Sequence, residues 1–181
     1  MKPIDLPQAE LTEKLRCLQI FANLSPEEID HLFPLCEFHE YDDQEKIIRQ
    51  NETSTFLCGM LDGNVNVFAT SKEGREIRLG RVHKGDVVGE ASLFFDVRRT
   101  ADVVADGHVE IMKIGRENFM SFVNKYSKAG VKVFAFMIFS LIHKLKNINA
   151  ELVFEKEATV TPEELEKLKA YFAPVVDDYI P

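Results

Sequence analysis

Five residues between two predicted strands combine a sharp backbone turn, a carboxylate and two adjacent guanidinium groups. Gly89 permits the turn because glycine tolerates positive φ. A single helical turn is predicted to begin at Glu90 or Ala91, and its first N–H groups lack intrahelical partners. Arg98 and Arg99 follow just before the next strand. This combination favours binding of a phosphate, because unpaired N–H groups attract anions and a guanidinium donates two parallel hydrogen bonds.

The charge of this region differs from that of the whole chain. Positions 72–99 hold seven basic and five acidic side chains, a local net charge of +2 in a chain whose formal charge is −8. Glu90 is the unexpected member, since a carboxylate repels a phosphate. It fits if it accepts a hydrogen bond from a neutral group of the ligand, such as a sugar hydroxyl. The alternative is a surface salt bridge with Arg98 or Arg99, and the spacing leaves both interpretations open.

The elements that position these residues are predicted to be mainly strands. Between about residues 37 and 114, runs rich in β-branched residues alternate with turn signals. Asp62-Gly63 and Asp106-Gly107 each predict a hairpin, and Lys72-Glu73-Gly74 predicts a third turn. No long crossover helices separate the runs, which argues against a parallel α/β sheet. We therefore predict a mainly β fold with flanking helices, a double-stranded β-helix of the jelly-roll or β-roll type.

Helices are predicted on both sides of the strands. Residues 1–36 form an N-terminal helical segment, in which Ser25-Pro26-Glu27-Glu28 has the pattern of a capping box. The region 37–156 comprises the β-roll and a long C-terminal helix that begins near residue 128. Residues 157–181 are predicted to form a short helix, opened by Thr161-Pro162, and a tail.

The long helix carries apolar residues in a heptad pattern, alternately four and three positions apart. The members of this seam are Phe134, Ile138, Leu141, Leu145, Ile148 and Leu152. Such a stripe is typical of paired helices and predicts a homodimer. The first half is also apolar on nearly every side, so we expect it to be buried on two faces, one against its own domain and one against something else. The alternative is a single core helix.

Composition restricts the class of protein. The chain has 181 residues, 45% of them hydrophobic and 29% charged, as in an ordinary globular domain. The longest apolar run is far shorter than a membrane span, and an acidic chain is a poor nucleic-acid binder. Three widely spaced cysteines and five scattered histidines match no disulfide, zinc or iron–sulfur pattern. We expect a cytoplasmic protein with no metal and no catalytic residues.

The stretch Gly89-Glu90-Ala91-Ser92-Leu93, followed by Arg99-Thr100-Ala101, resembles the phosphate-binding cassette of the cyclic nucleotide-binding domain family. That family includes catabolite activator-like regulators and kinase regulatory subunits. The resemblance covers about residues 20–155. It implies a regulatory function in signal transduction, with cAMP or cGMP as the ligand.

The resemblance also implies a role for each matched residue. Glu90 would accept a hydrogen bond from the ribose 2′-hydroxyl, and Arg99 would pair with the cyclic phosphate. The amides of Ala91 and Ser92 would cradle the phosphate, and Thr100 would bind the phosphate or the base. The remaining positions of the implied site are Val88, Gly89 and Ala101. The base would rest on apolar side chains of the roll, and ligand binding would alter the packing of the helices.

Some features depart from the family pattern or from its best-known members. Gln44 and Gln50 occupy positions where turn glycines are common, and Arg98 stands where proline or a small residue is common. Beyond the predicted long helix, 25 residues remain, too few for a helix-turn-helix module. Two alternatives therefore accompany the sensor hypothesis. The first is a β-roll that has lost its ligand and serves as an interaction module with an unidentified effector protein, and the less favoured one is a truncated transcription regulator.

Overall fold

A seven-stranded antiparallel sheet, rolled on itself and flanked by helices, confirms the predicted fold class. The computed structural model describes residues 1–159, except for the side chains of residues 147, 148 and 150–159. The strands are β1 (Lys2–Pro3), β2 (Glu37–Tyr41), β3 (Lys46–Ile48), β4 (Phe56–Thr70), β5 (Glu76–Val82), β6 (Val87–Val88) and β7 (Asp102–Gly115). Their order is β1-β2-β7-β4-β5, with β3 paired to β7 and β6 paired to β4.

Helices precede and follow strands β2 to β7, whereas β1 comes before the first helix. The helices are α1 (Gln8–Arg16), α2 (Pro26–Leu32), α3 (Arg116–Lys125) and α4 (Ser127–Thr159), with short 3₁₀ helices at Gln19–Phe21, Phe33–Leu35 and Glu90–Leu93. The predicted capping box at α2 is confirmed, because Ser25 accepts from the Glu28 N–H and the Glu28 carboxylate accepts from the Ser25 N–H. The predicted long helix is α4, which runs three residues further than expected.

Two predicted hairpins are wrong, because β4 and β7 are continuous strands that pair with each other over most of their length. Asp62-Gly63 lies inside β4 and Asp106-Gly107 inside β7. Gly63 and Gly107 have φ values of 77° and 81°, and the β4–β7 register shifts on both sides of Asp62. The positive φ values therefore bend a paired ladder, as β-bulges do, and do not reverse the chain. The third predicted turn is confirmed, since Gly74 (φ 80°) lies between β4 and β5.

β6, most of β7 and the N-terminal part of β4 are buried on both faces, which explains why apolar residues stand at successive positions in them, whereas β5 is exposed almost throughout. On β4, Leu57 and Leu61 pack against the helices, whereas Cys58 and Met60 face the interior of the roll. The same alternation separates Met112 and Ile114 from Val109 and Ile111 on β7, and Val87 from Val88 on β6. Side chains of successive strand residues point to opposite faces, so each of these strands supplies two cores.

The chain divides into two compact units, Met1–Met137 and Ile138–Pro181. In the first unit, Ala129, Val133 and Met137 of α4 are buried in the core between roll and helices. The predicted short helix after Thr161 and the tail lie outside the described residues. The division at 36 and 156 stays a prediction.

Gly59 of β4 offers a test of the packing between the roll and the N-terminal helices. A Cβ atom at this position would clash with Leu18 Cδ1 and lie 3.2 Å from Met112 Cε, and both side chains are fully buried. We expect Gly59→Ala to lower the free energy of unfolding by about 1–3 kcal/mol, as overpacking does. Urea titration measures this change. Gly80→Ala is the matched control, because a Cβ there meets no heavy atom within 4 Å; an equal loss in both variants would contradict the packing argument.

Candidate functional site

A cavity of about 230 Å³ opens at the end of the roll next to the Gly89 turn. Its apolar wall is formed by Ile48, Val67, Val88 and Val103, which belong to the interior core of the roll or pack against it. Its polar side is formed by residues 89–92 and 97–101. One wall thus suits a flat apolar group, and the opposite side suits a charged one.

The turn before the cavity depends on Gly89. Its φ is 88°, in the left-handed region, and β6 ends one residue earlier. The predicted helical turn is confirmed as the 3₁₀ helix Glu90–Leu93, called the short helix below. The first hydrogen bond of this turn is donated by the Ser92 N–H to the Gly89 carbonyl at 3.2 Å. The Ala91 N–H comes one residue earlier and therefore has no acceptor within the turn. The short helix therefore presents an amide donor at the edge of the cavity.

Arg99 lies folded into the roll and is only 6% exposed. Its Nε donates to Ser54 Oγ at 2.7 Å, and its Nη2 donates to the Phe56 carbonyl at 2.6 Å. A longer contact of 3.4 Å joins Nη1 to the Gly89 carbonyl. The guanidinium also stacks over the Phe56 ring, 4.7 Å from its centroid. The weakest of these contacts is the one that faces the turn and the cavity.

A short hydrogen-bonded chain orients the anchoring group of Arg99. Ser54 Oγ donates to Glu52 Oε1 at 3.1 Å, which leaves the hydroxyl oxygen to accept from Arg99. Burial lowers the pKa of the Arg99 guanidinium, while the nearby charges of Glu52 and Glu90 act in the opposite direction. Arginine remains protonated because its ordinary pKa is very high. The cavity wall thus carries a fixed positive charge.

All eight predicted ligand-binding residues line this one cavity. They are Val88, Gly89, Glu90, Ala91, Ser92, Arg99, Thr100 and Ala101. Arg98 lines it too, but its side chain is exposed and its Nη1 lies 3.4 Å from the Asn51 carbonyl. Their roles toward a ligand stay predictions, because the geometry alone does not test them.

Several residues of the site were not predicted. Sequence spacing gives no sign of Ser54 and Glu52, since both are more than 40 positions from Arg99. Of the two positions where turn glycines are common in the family, Gln44 has a left-handed backbone (φ 62°), whereas near Gln50 the left-handed residue is Asn51 (φ 67°). Asparagine tolerates this conformation better than most residues, and its N–H donates to the Arg99 carbonyl at 2.8 Å.

The predicted seam is distributed over both units. Phe134, in the first unit, is half-buried, and its ring lies 5.9 Å from those of Phe94 and Phe119. In the second unit, Ile138, Leu141 and Leu145 are 59%, 47% and 58% exposed. The side chains of Ile148 and Leu152 lie outside the described residues. The described apolar stripe of the second unit therefore faces solvent.

Two absences hold for the described part of the chain only. Among the side chains described within residues 1–159, no three histidine, cysteine or carboxylate groups are placed to share a metal ion. No helix in that range is both long and apolar enough to cross a bilayer. Burial raises the pKa of the Cys58 thiol to about 12, so this cysteine is not a reactive thiolate at neutral pH.

Comparison with known proteins gives a consistent result. Residues 38–126 match the family model of the cyclic nucleotide-binding domain. The chain is 31% identical over 119 residues to the cGMP-dependent protein kinase egl-4 of Caenorhabditis briggsae, covering 64% of this chain and 16% of the kinase. It is 27% identical over 106 residues to the cyclic AMP receptor protein of Thermus thermophilus, covering 59% of this chain and 49% of that protein. The chain thus spans half or less of the length of these relatives.

A solved structure shows the same fold. A cyclic nucleotide-binding domain from Methylobacillus flagellatus superimposes with a TM-score of 0.72 at 19% identity, over 82% of this chain and 83% of that one. At this identity the likeness concerns the fold alone.

Gly89 offers a test of how tightly the turn encloses Arg99. A Cβ atom at this position would clash with Arg99 Nη1 and lie 3.1 Å from the Phe56 carbonyl oxygen. Gly107→Ala is the matched control, because it has a similar φ of 81° and no atom within 4 Å of the added Cβ. We expect Gly107→Ala to cost about 1–2 kcal/mol of stability from backbone strain. Gly89→Ala should cost more in the same urea titration, and equal costs would contradict the close approach.

Proposed function

Residues 38–126 of the chain belong to the cyclic nucleotide-binding domain family, and we propose on that basis that the chain is a regulatory module that binds cAMP or cGMP. The observation that carries this proposal is the buried guanidinium of Arg99 on the wall of a cavity of about 230 Å³, next to a helical turn that presents an amide donor. The names of the two relatives, one cGMP-dependent and one a cyclic AMP receptor, support both nucleotides equally.

The cyclic phosphate would bind between Arg99 and the short helix. Ser54 and the Phe56 carbonyl hold the guanidinium through contacts of 2.7 and 2.6 Å, and these would persist in the complex. The 3.4 Å contact to the Gly89 carbonyl is the weakest, so a phosphate oxygen would replace it. The Ala91 N–H would donate to the same phosphate. Hydrogen bonds to charged groups of this kind contribute about 1.5–3 kcal/mol each.

The sugar and the base would occupy the rest of the cavity. Glu90 lies on the same side as Arg99 and is half-buried, which suits a carboxylate that accepts from the ribose 2′-hydroxyl. The base would lie against Ile48, Val67 and Val103, with Thr100 at the rim. Burial of a purine ring against such a wall is favourable because it removes apolar surface from water.

Phosphate binding would change the helices next to the cavity. Once the phosphate takes the place of the Gly89 carbonyl at Arg99, the N-terminal end of the short helix loses this contact and moves toward the ligand. Phe94 follows the short helix, and its ring is tilted against that of Phe134 of α4 at a centroid distance of 5.9 Å, so movement of one changes the packing of the other. The ligand shifts this equilibrium only by its difference in affinity for the two arrangements. This scheme involves no covalent chemistry.

We also propose a homodimer through the apolar stripe of the second unit. Ile138, Leu141 and Leu145 share one face with Ile142, which is 50% exposed. Four exposed large aliphatic side chains within two helical turns are unfavourable in water, and a second copy of the same helix would bury them.

The first test is calorimetric titration of the nucleotide-free protein with cAMP and with cGMP. We expect Arg99→Ala to weaken binding by about 10- to 150-fold, the loss of one charge-assisted hydrogen bond. Arg98→Ala should weaken it less, because Arg98 is exposed and lies at the rim. Equal losses would contradict the assignment of the two arginines.

A second outcome of the same titration decides between the classes of function. If the folded wild-type protein binds neither nucleotide, the sensor proposal is wrong and the ligandless interaction module remains. A linear nucleotide such as 5′-AMP serves as the control ligand, since its phosphate carries a different charge and shape.

The dimer is tested by light scattering of a double variant, Leu141→Glu with Leu145→Glu. Two carboxylates in a buried helix pair are strongly unfavourable, so the mass should fall from that of a dimer to that of a monomer. His143→Glu is the matched control, because position 143 lies on the opposite side of the helix from both leucines. An unchanged mass of the double variant would contradict the dimer.

A further inference from the structure

Arg116, the first residue of α3, makes four hydrogen bonds to the segment that contains the short helix. Its Nε and Nη2 donate to the Ser92 carbonyl at 3.0 and 2.7 Å. Nη2 also donates to the Phe95 carbonyl at 2.7 Å, and Nη1 donates to Asp96 at 2.6 Å. One guanidinium thus holds the C-terminal end of the short helix and the residues that follow it.

These contacts satisfy carbonyl groups that have no partner within the short helix. The last carbonyls of any helix lack intrahelical donors and need other partners. Here the donors come from a different element, because Arg116 belongs to α3. Arg116 is itself held in place, since its backbone N–H donates to the Thr55 carbonyl at 2.8 Å. The short helix is therefore fixed to the junction of β7 and α3.

The position of Arg116 is unfavourable for α3 itself. A positive side chain in the first turn of a helix opposes the helix dipole. The first turn of α3 also contains Glu117, which suits the dipole. The residue type at 116 is therefore explained by its contacts with the short helix, and not by the stability of α3.

Two guanidinium groups thus flank the short helix. Arg99 contacts the Gly89 carbonyl before it, whereas Arg116 contacts the Ser92 carbonyl near its C-terminal end and the Phe95 carbonyl after it. The first contact is long and lies in the cavity, whereas the contacts of Arg116 are short. A turn held firmly at its far end keeps its amide end toward Arg99.

We propose that Arg116 is a positioning residue for the phosphate site and transmits its occupancy to α3. This inference rests on the proposed nucleotide-binding function. Because the carbonyls that Arg116 holds belong to the moving segment, displacement of the short helix changes the first turn of α3. That helix buries Phe119 and Phe122 in the core shared with α4, so the effect reaches the long helix.

Hydrogen exchange measured by mass spectrometry tests the positioning role without a ligand. In nucleotide-free Arg116→Ala, peptides covering residues 90–96 should exchange about tenfold faster or more, as expected when one charge-assisted hydrogen bond is lost. Peptides covering Leu57–Leu61 should exchange as in wild type, which shows that the fold persists. Unchanged exchange at 90–96 would overturn the proposal.

The transmitting role is tested with saturating cAMP or cGMP, whichever binds. Wild type should gain protection in the first turn of α3, and Arg116→Ala should not, even when more nucleotide is added to reach saturation. Normal protection of α3 in the saturated variant would overturn the proposal. A merely structural role of Arg116 would leave the nucleotide-induced protection of α3 the same in the variant as in wild type. If wild type binds neither nucleotide, the proposed function is wrong, and the ligand-free comparison still decides the positioning role.

Two matched variants complete the experiment. Asp96→Asn removes only an ion pair whose carboxylate is 88% exposed, and should change exchange by no more than about twofold. Arg116→Lys keeps the charge but cannot reach both carbonyls with a planar fork, so it should resemble Arg116→Ala. An Asp96→Asn effect as large as that of Arg116→Ala would assign the role to the ion pair and contradict the carbonyl contacts.

Discussion

The burial of one positive charge governs the arrangement of the site. Removing a guanidinium from water costs several kcal/mol unless its donors and its charge find partners. Arg99 finds them in Ser54 Oγ, two backbone carbonyls and the face of Phe56. These groups come from the start of β4 and from the Gly89 turn. The charge therefore ties together segments that are distant in sequence, and any anion that enters the cavity meets a donor already held in place.

The scaffold around this charge has parts of different stiffness. β4 and β7 pair along most of their length, and the apolar wall of the cavity is part of their shared interior. The short helix has no such ladder. Its ends are fixed by side-chain donors and by contacts with the Gly89 carbonyl. A rigid wall beside a turn that is held by a few polar contacts and one buried side chain, Leu93, is suited to respond locally to a ligand, because few interactions must change when the turn moves.

The sequence predicted the parts of the fold that depend on local patterns. The helical turn after Gly89, the capping box at Ser25, α4 and the β-roll class follow from glycine placement, capping residues and hydrophobic period. The cassette residues were found because they are neighbours in sequence. Asp62-Gly63 misled the prediction, since a positive φ fits a bulge as well as a hairpin and only the long-range pairing of β4 with β7 decides between them. Ser54 and Arg116 were missed for a similar reason, because their contacts span 45 and 24 positions.

The alternation of side chains along the strands has a consequence for divergence among related chains. Val88 and Val103 face the cavity, whereas Val87, next to Val88, belongs to the layer beneath the helices. Substitutions of residues that face the cavity can alter which small molecule is bound, while the residues that pack against the helices, and with them the conformational response, stay unchanged. A lineage can therefore acquire a new chemical input and keep its old response, provided that no insertion shifts the strand by one residue and exchanges the two sets.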